Sequence, residues 1–345
     1  MKSDTFGLEI RTDIMRALWF KREKDSLTLG GLSQATPPPS GIVSEAAVDQ
    51  QKMAQAIRDM VANGKIGVKK VHIALADNQV YTKVIDMPDL SEKELTSAIR
   101  WEAEQHIPAP LETITLDWKI LRRQKDSKTG TSTMQVLLVA APIGLIRRYE
   151  RIITLAGFTI SSVETEILSV IRSIIVGDNY PTSVIVNINN TSTTLAIVQA
   201  NTLIFTYLMP LGSDALDRAI AAEFGFSLNQ AEEYRKVYGV SEETFGGKLS
   251  RAMEPILMSL LSEVRRALTF YNERYKNEYP IYQIVLSGSA ARLPGMGLFF
   301  VQNCGIETVV ANPWTSLGIA QVPKEILESG PEYSVVVGLA LKNYA

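Results

Sequence analysis

The apolar positions change period several times along the chain, and each change marks an element. "FGLEIRTDIMRALWF" (6–20) alternates, breaks at a polar turn and then runs apolar, the pattern of strand, turn and strand. The segment containing "GGLSQATPPPSG" follows, and its glycines with Pro37, Pro38 and Pro39 predict a loop. Met53, Ile57, Met60 and Val61 then share one face of a helix that Gly64 is placed to stop. "VHIALADNQVYTKVIDMP" reads as a hairpin turning at Asp77 and Asn78.

From Pro88 the pattern becomes helix, strand, strand, helix. Ser91 and Glu94 form the signature of a capping box, and Leu95, Ile99, Ala103 and Ile107 recur every four residues until Pro108. "TITLDWKIL" and "MQVLLVAA" are strands flanking the polar loop "QKDSKTGTST", and "IGLIRRYERIITLAGF" is the second helix. Further on, "VIVNINNTSTTLAIV" (184–198) is again strand, polar turn and strand. "NTLIFTYLMPLG" adds a strand, and Leu216, Ala219, Ile220 and Phe224 mark a helix. Ser227 with Gln230 caps another helix, and a long amphipathic one runs through Met253, Leu257, Leu260, Val264, Leu268 and Tyr271. "IYQIVLSGSAARLPGMG" is a strand entering a small-residue turn and then a helix; "SVVVGLALKNYA" is a short helix or strand.

The segments 6–20 and 184–198 align without a gap, Ile10 on Ile188, as a faint internal repeat. At 345 residues the chain exceeds one typical core, so a repeat that opens each half predicts two lobes. Lys and Arg total 35 against 37 Asp and Glu, which offers no basic surface for nucleic acid. Cys304 is the single cysteine, read as a small buried residue, and the two histidines, His72 and His106, are too few for a zinc or Cys–His centre. The most continuous apolar run, "VLLVAAPIGLI", is far short of the ~20 residues of a transmembrane helix, and the N-terminus has no apolar signal core. Attachment to a membrane is therefore expected to depend on a partner.

Two strand–turn–strand segments and the late "IVLSGSAARLPG" turn resemble the actin-like nucleotide-binding superfamily. "MPDLSEKELTSAIRWEAEQHIPAPLETITLDWKIL" narrows this, because it resembles the inserted subdomain of PilM, the actin-like protein of type IV pilus assembly. "LLVAAPIGLIRRYERIITLAGFTISSVETEILSVIRS", "AIAAEFGFSLNQAEEYRK" and "IVLSGSAARLPGMGLFFVQNCGIETVVANPW" extend the resemblance over the chain. It implies an α/β, bilobed actin-like (ribonuclease H-like, duplicated) fold with an inserted 1C-type α/β subdomain. The expected organisation is 1–84 as the first lobe, 85–158 as the insertion and 159–182 as the return to the first lobe. The second lobe and its helical subdomain follow over 183–330, and 331–345 returns to the first lobe.

The resemblance also implies where ATP or ADP with Mg²⁺ would be held, namely at Asp-Ile-Gly-like motifs in the two hairpin turns. Here Glu9-Ile10-Arg11 and Asn187-Ile188-Asn189 stand instead. Asn187 lacks the charge that attracts a metal, Glu9 is one methylene longer than Asp and is the candidate Mg²⁺ ligand, and Arg11 fills space that a glycine leaves open. Glu9 and Arg11 share a strand face, so a Glu9–Arg11 pair is expected. Gly212, Gly288 and Ser289 align with the adenosine-side turns, and Glu232 and Arg235 with a Glu-x-x-Lys pair that contacts the nucleoside; an exposed helix charge pair is the competing reading. No catalytic residue is assigned. The expected function is a cytoplasmic scaffold of type IV pilus or related secretion assembly, peripheral at the inner membrane through the N-terminal peptide of a PilN-like protein. The alternatives are an active actin-like ATPase or nucleotide switch, or an FtsA-like division protein; FtsA typically ends in a membrane-binding helix that this chain lacks.

Overall fold

The computed structural model describes residues 5–23, 26–125, 130–241, 244–275, 279–319 and 322–344. The chain divides into two units, one of Met1–Ser173, Leu317–Val322 and Val335–Ala345, the other of Ile174–Ser316 and Pro323–Ser334.

The first unit begins with β1 (Thr5–Ile10), β2 (Met15–Glu23) and β3 (Ser26–Ala35), then α1 (Ala47–Asn63) and β4 (Lys70–Leu75). The strand β5 (Tyr81–Pro88), helix α2 (Glu92–His106) and strands β6 (Ile114–Lys125) and β7 (Ser132–Pro142) lead to α3 (Ile143–Leu155), β8 (Thr159–Thr165) and α4 (Glu166–Ile174). Its larger sheet has the order β3-β2-β1-β4-β8, antiparallel through the first three strands and parallel through the rest. Phe6, Leu8, Met53, Ile57, Tyr149 and Ile152 form one core with this sheet, so both α1 and α3 pack on it. The smaller antiparallel sheet, β5-β7-β6, is covered by α2 through Leu95 and Ile99 against Ile85, Met134 and Val136. The capping box is present: the Glu94 N–H donates to Ser91 Oγ, and the Ser91 N–H donates to Glu94 Oε2 at 2.9 Å.

The second unit repeats the scheme. β9 (Ser183–Ile188), β10 (Thr193–Gln199) and β11 (Thr202–Met209) precede α5 (Ser213–Phe224), α6 (Leu228–Tyr238) and α7 (Lys248–Tyr275). Then come β12 (Gln283–Ser287), α8 (Met296–Cys304), β13 (Glu307–Val310) and the short helices α9 (Pro313–Ser316) and α10 (Lys324–Glu328). Its sheet order is β11-β10-β9-β12-β13, the first unit's order strand for strand. Met253, Leu257, Leu260 and Val264 of α7 pack with Leu195, Ile197 and Leu286 in its core. The last helix, α11 (Ser334–Ala340), belongs to the first unit from Val335 onward. There the Cβ site of Gly338 lies 1.8 Å from the Ser169 carbonyl oxygen, a contact that admits only glycine.

Three expectations need correction. The glycine-rich segment before the prolines is the strand β3, because Gly31 lies so close to the Gly64 carbonyl that its Cβ site is 2.4 Å from the oxygen. Close backbone approach, not loop formation, explains that glycine. The segment 71–88 is not a hairpin: β4 joins the larger sheet in parallel and β5 pairs with β7 in the smaller one. Cys304, expected to be buried, is half-buried and packs against the edge of the second unit's core, with burial pushing its thiol up. The polar loop between β6 and β7 falls partly on residues 126–129, outside the described residues.

Candidate functional site

The two hairpin turns are built alike. The Arg11 N–H donates to the Ile14 carbonyl at 2.9 Å, and the Asn189 N–H donates to the Ser192 carbonyl at 2.9 Å. Ile10 pairs with Met15 and Ile188 with Thr193, so both turns have one length and one register. Glu9 therefore corresponds to Asn187, and Arg11 to Asn189. The first turn belongs to the first unit and the second to the second.

In the first turn Glu9 is 1 % exposed, and the cation facing it is Arg16, its register partner on β2, at 3.5 Å. Burial pushes the Glu9 carboxyl up against the opposing charges of Arg16 and Arg11. Arg11 donates from Nε and NH2 to the two oxygens of Asp13, at 3.1 and 3.3 Å. The expected Glu9–Arg11 pair is thus replaced by Glu9–Arg16 across the hairpin and Arg11–Asp13 within the turn. A reading along one strand sees the i, i+2 neighbour and not the residue opposite it.

Two acids that the sequence reading passed over come to the same place. Asp77, just after β4, accepts the Ile167 N–H at 3.1 Å and so caps the first turn of α4. Glu166, the first residue of α4, is 4 % exposed, and burial together with the Asp77 charge pushes its carboxyl up to about 8, with Arg11 opposing. For Glu166 a sequence signal was present: "SSVETEILSV" places acids at a strand-to-helix junction otherwise built of apolar and small residues. The neighbouring Glu164 has a different role. Arg172 and Lys342 hydrogen-bond it and outweigh its burial, which holds its carboxyl below the usual range.

In the second turn Asn187 is 1 % exposed, and neither its Oδ1 nor its Nδ2 has a hydrogen-bond partner among the described residues. Gly288, at φ +85°, brings its backbone so close that a Cβ would sit 2.4 Å from the Ile188 carbonyl oxygen. Ser289 Oγ donates to Asn190 Oδ1 at 2.8 Å. The Gly212 Cβ site is 2.3 Å from the Asn190 carbonyl oxygen and 2.5 Å from that of Asn189. That contact lets the turn cap α5: the Ser213 N–H donates to the Asn189 carbonyl and the Asp214 N–H to that of Asn190, both at 2.9 Å. The Ala215 N–H turns to the Gly212 carbonyl at 3.1 Å. A helix N-terminus binds anions through its free N–H groups, and these three are engaged by the chain itself.

Asn187, Asn189, Gly212, Gly288 and Ser289 are thus gathered around the second turn, and Glu9 and Arg11 around the first. Glu232 and Arg235 stand apart on α6. Arg235, 2 % exposed, donates to both oxygens of Asp217 on α5 at 2.6 and 3.0 Å, whereas Glu232 pairs with Lys236 at the surface. These side chains are engaged by the protein's own groups. Among the described residues no three His, Cys, Asp or Glu side chains converge on a metal position, and no helix is long and apolar enough to cross a membrane. A metal-bound phosphate does not fit the turns as they stand: the second has no carboxylate and a closed helix terminus, and the first carries an ion-paired arginine.

Residues 7–344 match the family described as type IV pilus assembly protein PilM. The cell division protein FtsA of Streptococcus pneumoniae is 23% identical over 84% of this chain and 71% of its own. The structure of a PilM–PilN type IV pilus biogenesis complex superposes with a TM-score of 0.81 at 24% identity, covering 100% of both chains. MreB5 of Spiroplasma citri, solved with AMPPNP bound, gives 0.51 at 11% identity over 99% of this chain and 96% of its own. These likenesses give the fold, which is actin-like.

Proposed function

The chain belongs to the type IV pilus assembly protein PilM family, and from that premise we propose that it is a scaffold rather than an engine. It works on the cytoplasmic side of the inner membrane in pilus or related secretion assembly. A PilN-like membrane protein recruits it through a short N-terminal peptide. Likeness to a structure containing PilM with PilN supports that partner. The proposed docking region is the inserted subdomain, residues 85–158, whose helix α2 presents Trp101 to solvent at 62 % exposure.

One observation carries the scaffold reading: both hairpin turns are held by internal contacts, Arg11 on Asp13 in one and the Asn189 and Asn190 carbonyls on α5 in the other. Such turns keep their shape without a nucleotide to organise them. Adenine nucleotide, where it binds, is held on the side of Gly288 and Ser289, and its hydrolysis is not part of the function.

The test is capture of the peptide on immobilised chain with and without Mg-ATP, alongside a phosphate-release assay. Equal capture in both conditions, with release no faster than from a Glu9→Ala control, is the expected result. Failure to capture the peptide, or turnover above that control, contradicts the reading.

A further inference from the structure

Residues 341–344, just beyond α11, are tied to the first unit's larger sheet through a buried histidine. Val71 and Ile73 of β4 belong to the core that α1 and α3 cover, so His72 between them points to the opposite face. α11 lies on that face: the Cβ site of Gly7, the neighbour of His72 on β1, is 2.7 Å from the Val336 carbonyl oxygen. His72 is 3 % exposed, with Ser162 Oγ 2.7 Å from its Nδ1 and Asn343 Oδ1 3.3 Å from its Nε2. Asn343 Nδ2 donates to Thr5 Oγ1 at 2.5 Å, and the Tyr344 hydroxyl donates to the Phe20 carbonyl at 3.0 Å. An amide oxygen only accepts, so Nε2 carries the imidazole hydrogen and Nδ1 accepts from Ser162.

The charged groups around this imidazole leave it no room for a proton. Glu164, two residues beyond Ser162 on the same face of β8, accepts from Arg172 at 2.6 and 2.8 Å and from Lys342 at 2.7 Å. One carboxylate thus meets two cations, one of them adjacent in sequence to Asn343. α11 carries no charged residue, Glu166 begins α4 whereas Arg172 stands in its last turn, and Lys70, two residues before His72 on β4, is exposed. A proton on Nδ1 would reverse the Ser162 hydrogen bond and add a third positive charge around Glu164, inside the fold. Burial, with Lys342, accordingly holds the His72 pKa below its ordinary 6.5, against the Asn343 hydrogen bond and the Glu164 charge.

We propose that residues 341–344 are an acid-released latch, held against the sheet while His72 is neutral and let go when it takes up a proton. Release admits water to the imidazole and separates it from Lys342, so the released state binds the proton more readily than the latched one. The latch therefore holds above the ordinary histidine value and weakens as pH falls below 6.5. Glu164, whose carboxyl lies below its ordinary 4.5, loses its part of the hold only under more acid conditions. The latch is a property of the first unit, whichever partner the chain recruits.

The test is hydrogen exchange of residues 341–344 in the full chain at pH 7.5 and pH 5.5, corrected for intrinsic exchange rates. In the wild type exchange is expected to rise about tenfold, the linkage effect of one pH unit below an ordinary imidazole pKa. In His72→Gln it is expected to be the same at both pH values. Wild-type exchange that stays constant, or an equal rise in His72→Gln, overturns the latch. His72 and His106 are the chain's two histidines, so carbon-13 histidine labelling gives two NMR signals, which His106→Gln assigns without touching the latch. The His72 signal is expected to report the Nε2–H tautomer at pH 7.5 and a midpoint below 6.5, and a midpoint at or above that value overturns the latch. Should His72→Gln fail to fold, wild-type exchange that rises in step with His72 protonation supports the latch, and exchange that rises without it overturns it.

Discussion

Glu9 and Asn187 occupy the same position in two copies of one sheet. Each is the last-but-one residue of the strand that the hairpin leaves, each is 1 % exposed, and both have side-chain polar atoms without hydrogen-bond partners among the described residues. One keeps a charge and the other has none. The duplicated architecture is therefore intact while the chemistry of its two turns has diverged, the first toward internal ion pairs and the second toward neutral amides.

The Gly212 contact is predicted to be indispensable to the second turn. In Gly212→Ala the new methyl meets two carbonyl oxygens at 2.3 and 2.5 Å, so the turn or α5 must move. The expected cost is about 1–3 kcal/mol, read from a urea midpoint shift at unchanged slope.

Arg235 is predicted to act in stability rather than in ligand contact. Arg235→Ala leaves the Asp217 carboxylate in a buried place without its cation, at a cost of about 3–5 kcal/mol. Replacing both by apolar residues of similar size is expected to recover most of that loss, and a denaturation series on the single and double variants checks it.

Glu166 predicts a pH dependence of the first unit. Its folded-state pKa of about 8 lies above the ordinary carboxylate value, so the folded chain keeps a proton that the unfolded chain has lost between these two values. The contribution is fully present below the ordinary value, declines as pH rises toward 8 and changes no further above it. Glu166→Gln is expected to flatten the fall in stability between pH 5 and pH 8, with the variant gaining most on the wild type at the upper end. Urea midpoints of both proteins across that range provide the measurement.

Trp101 separates binding from folding. It is 62 % exposed, so Trp101→Ala should leave the unfolding free energy within about 0.5 kcal/mol. If α2 contributes to docking, the same change weakens the PilN-like peptide about tenfold, ~1.4 kcal/mol. Calorimetry and urea unfolding of the one variant check both.

Local chemistry was the readable part of the chain. Ser91 with Glu94 and Ser227 with Gln230 announce capping boxes that the structure contains, since a cap depends on residues three apart. The two turns were legible for a similar reason, each being a polar break between apolar strands. What escaped depends on distant segments. β4 and β5 look like one hairpin until the sheets they join are known, and Gly31 looks like a loop residue until Gly64 is placed against it. Asp77 and Glu166, 89 positions apart by subtraction of their numbers, meet only because β4 and β8 are neighbours in the sheet. Arg235 reads from sequence as either a nucleoside contact or half of an exposed charge pair with Glu232, because its partner Asp217 lies on another helix.

A scaffold that a PilN-like protein recruits without nucleotide turnover differs from an engine in a calorimetric titration with that protein's N-terminal peptide. The scaffold is expected to bind the peptide saturably and one to one, with the same affinity in EDTA, in Mg-ADP and in Mg-ATP. Absence of binding, or binding that appears only with Mg-ATP and fades as it is hydrolysed, would contradict it.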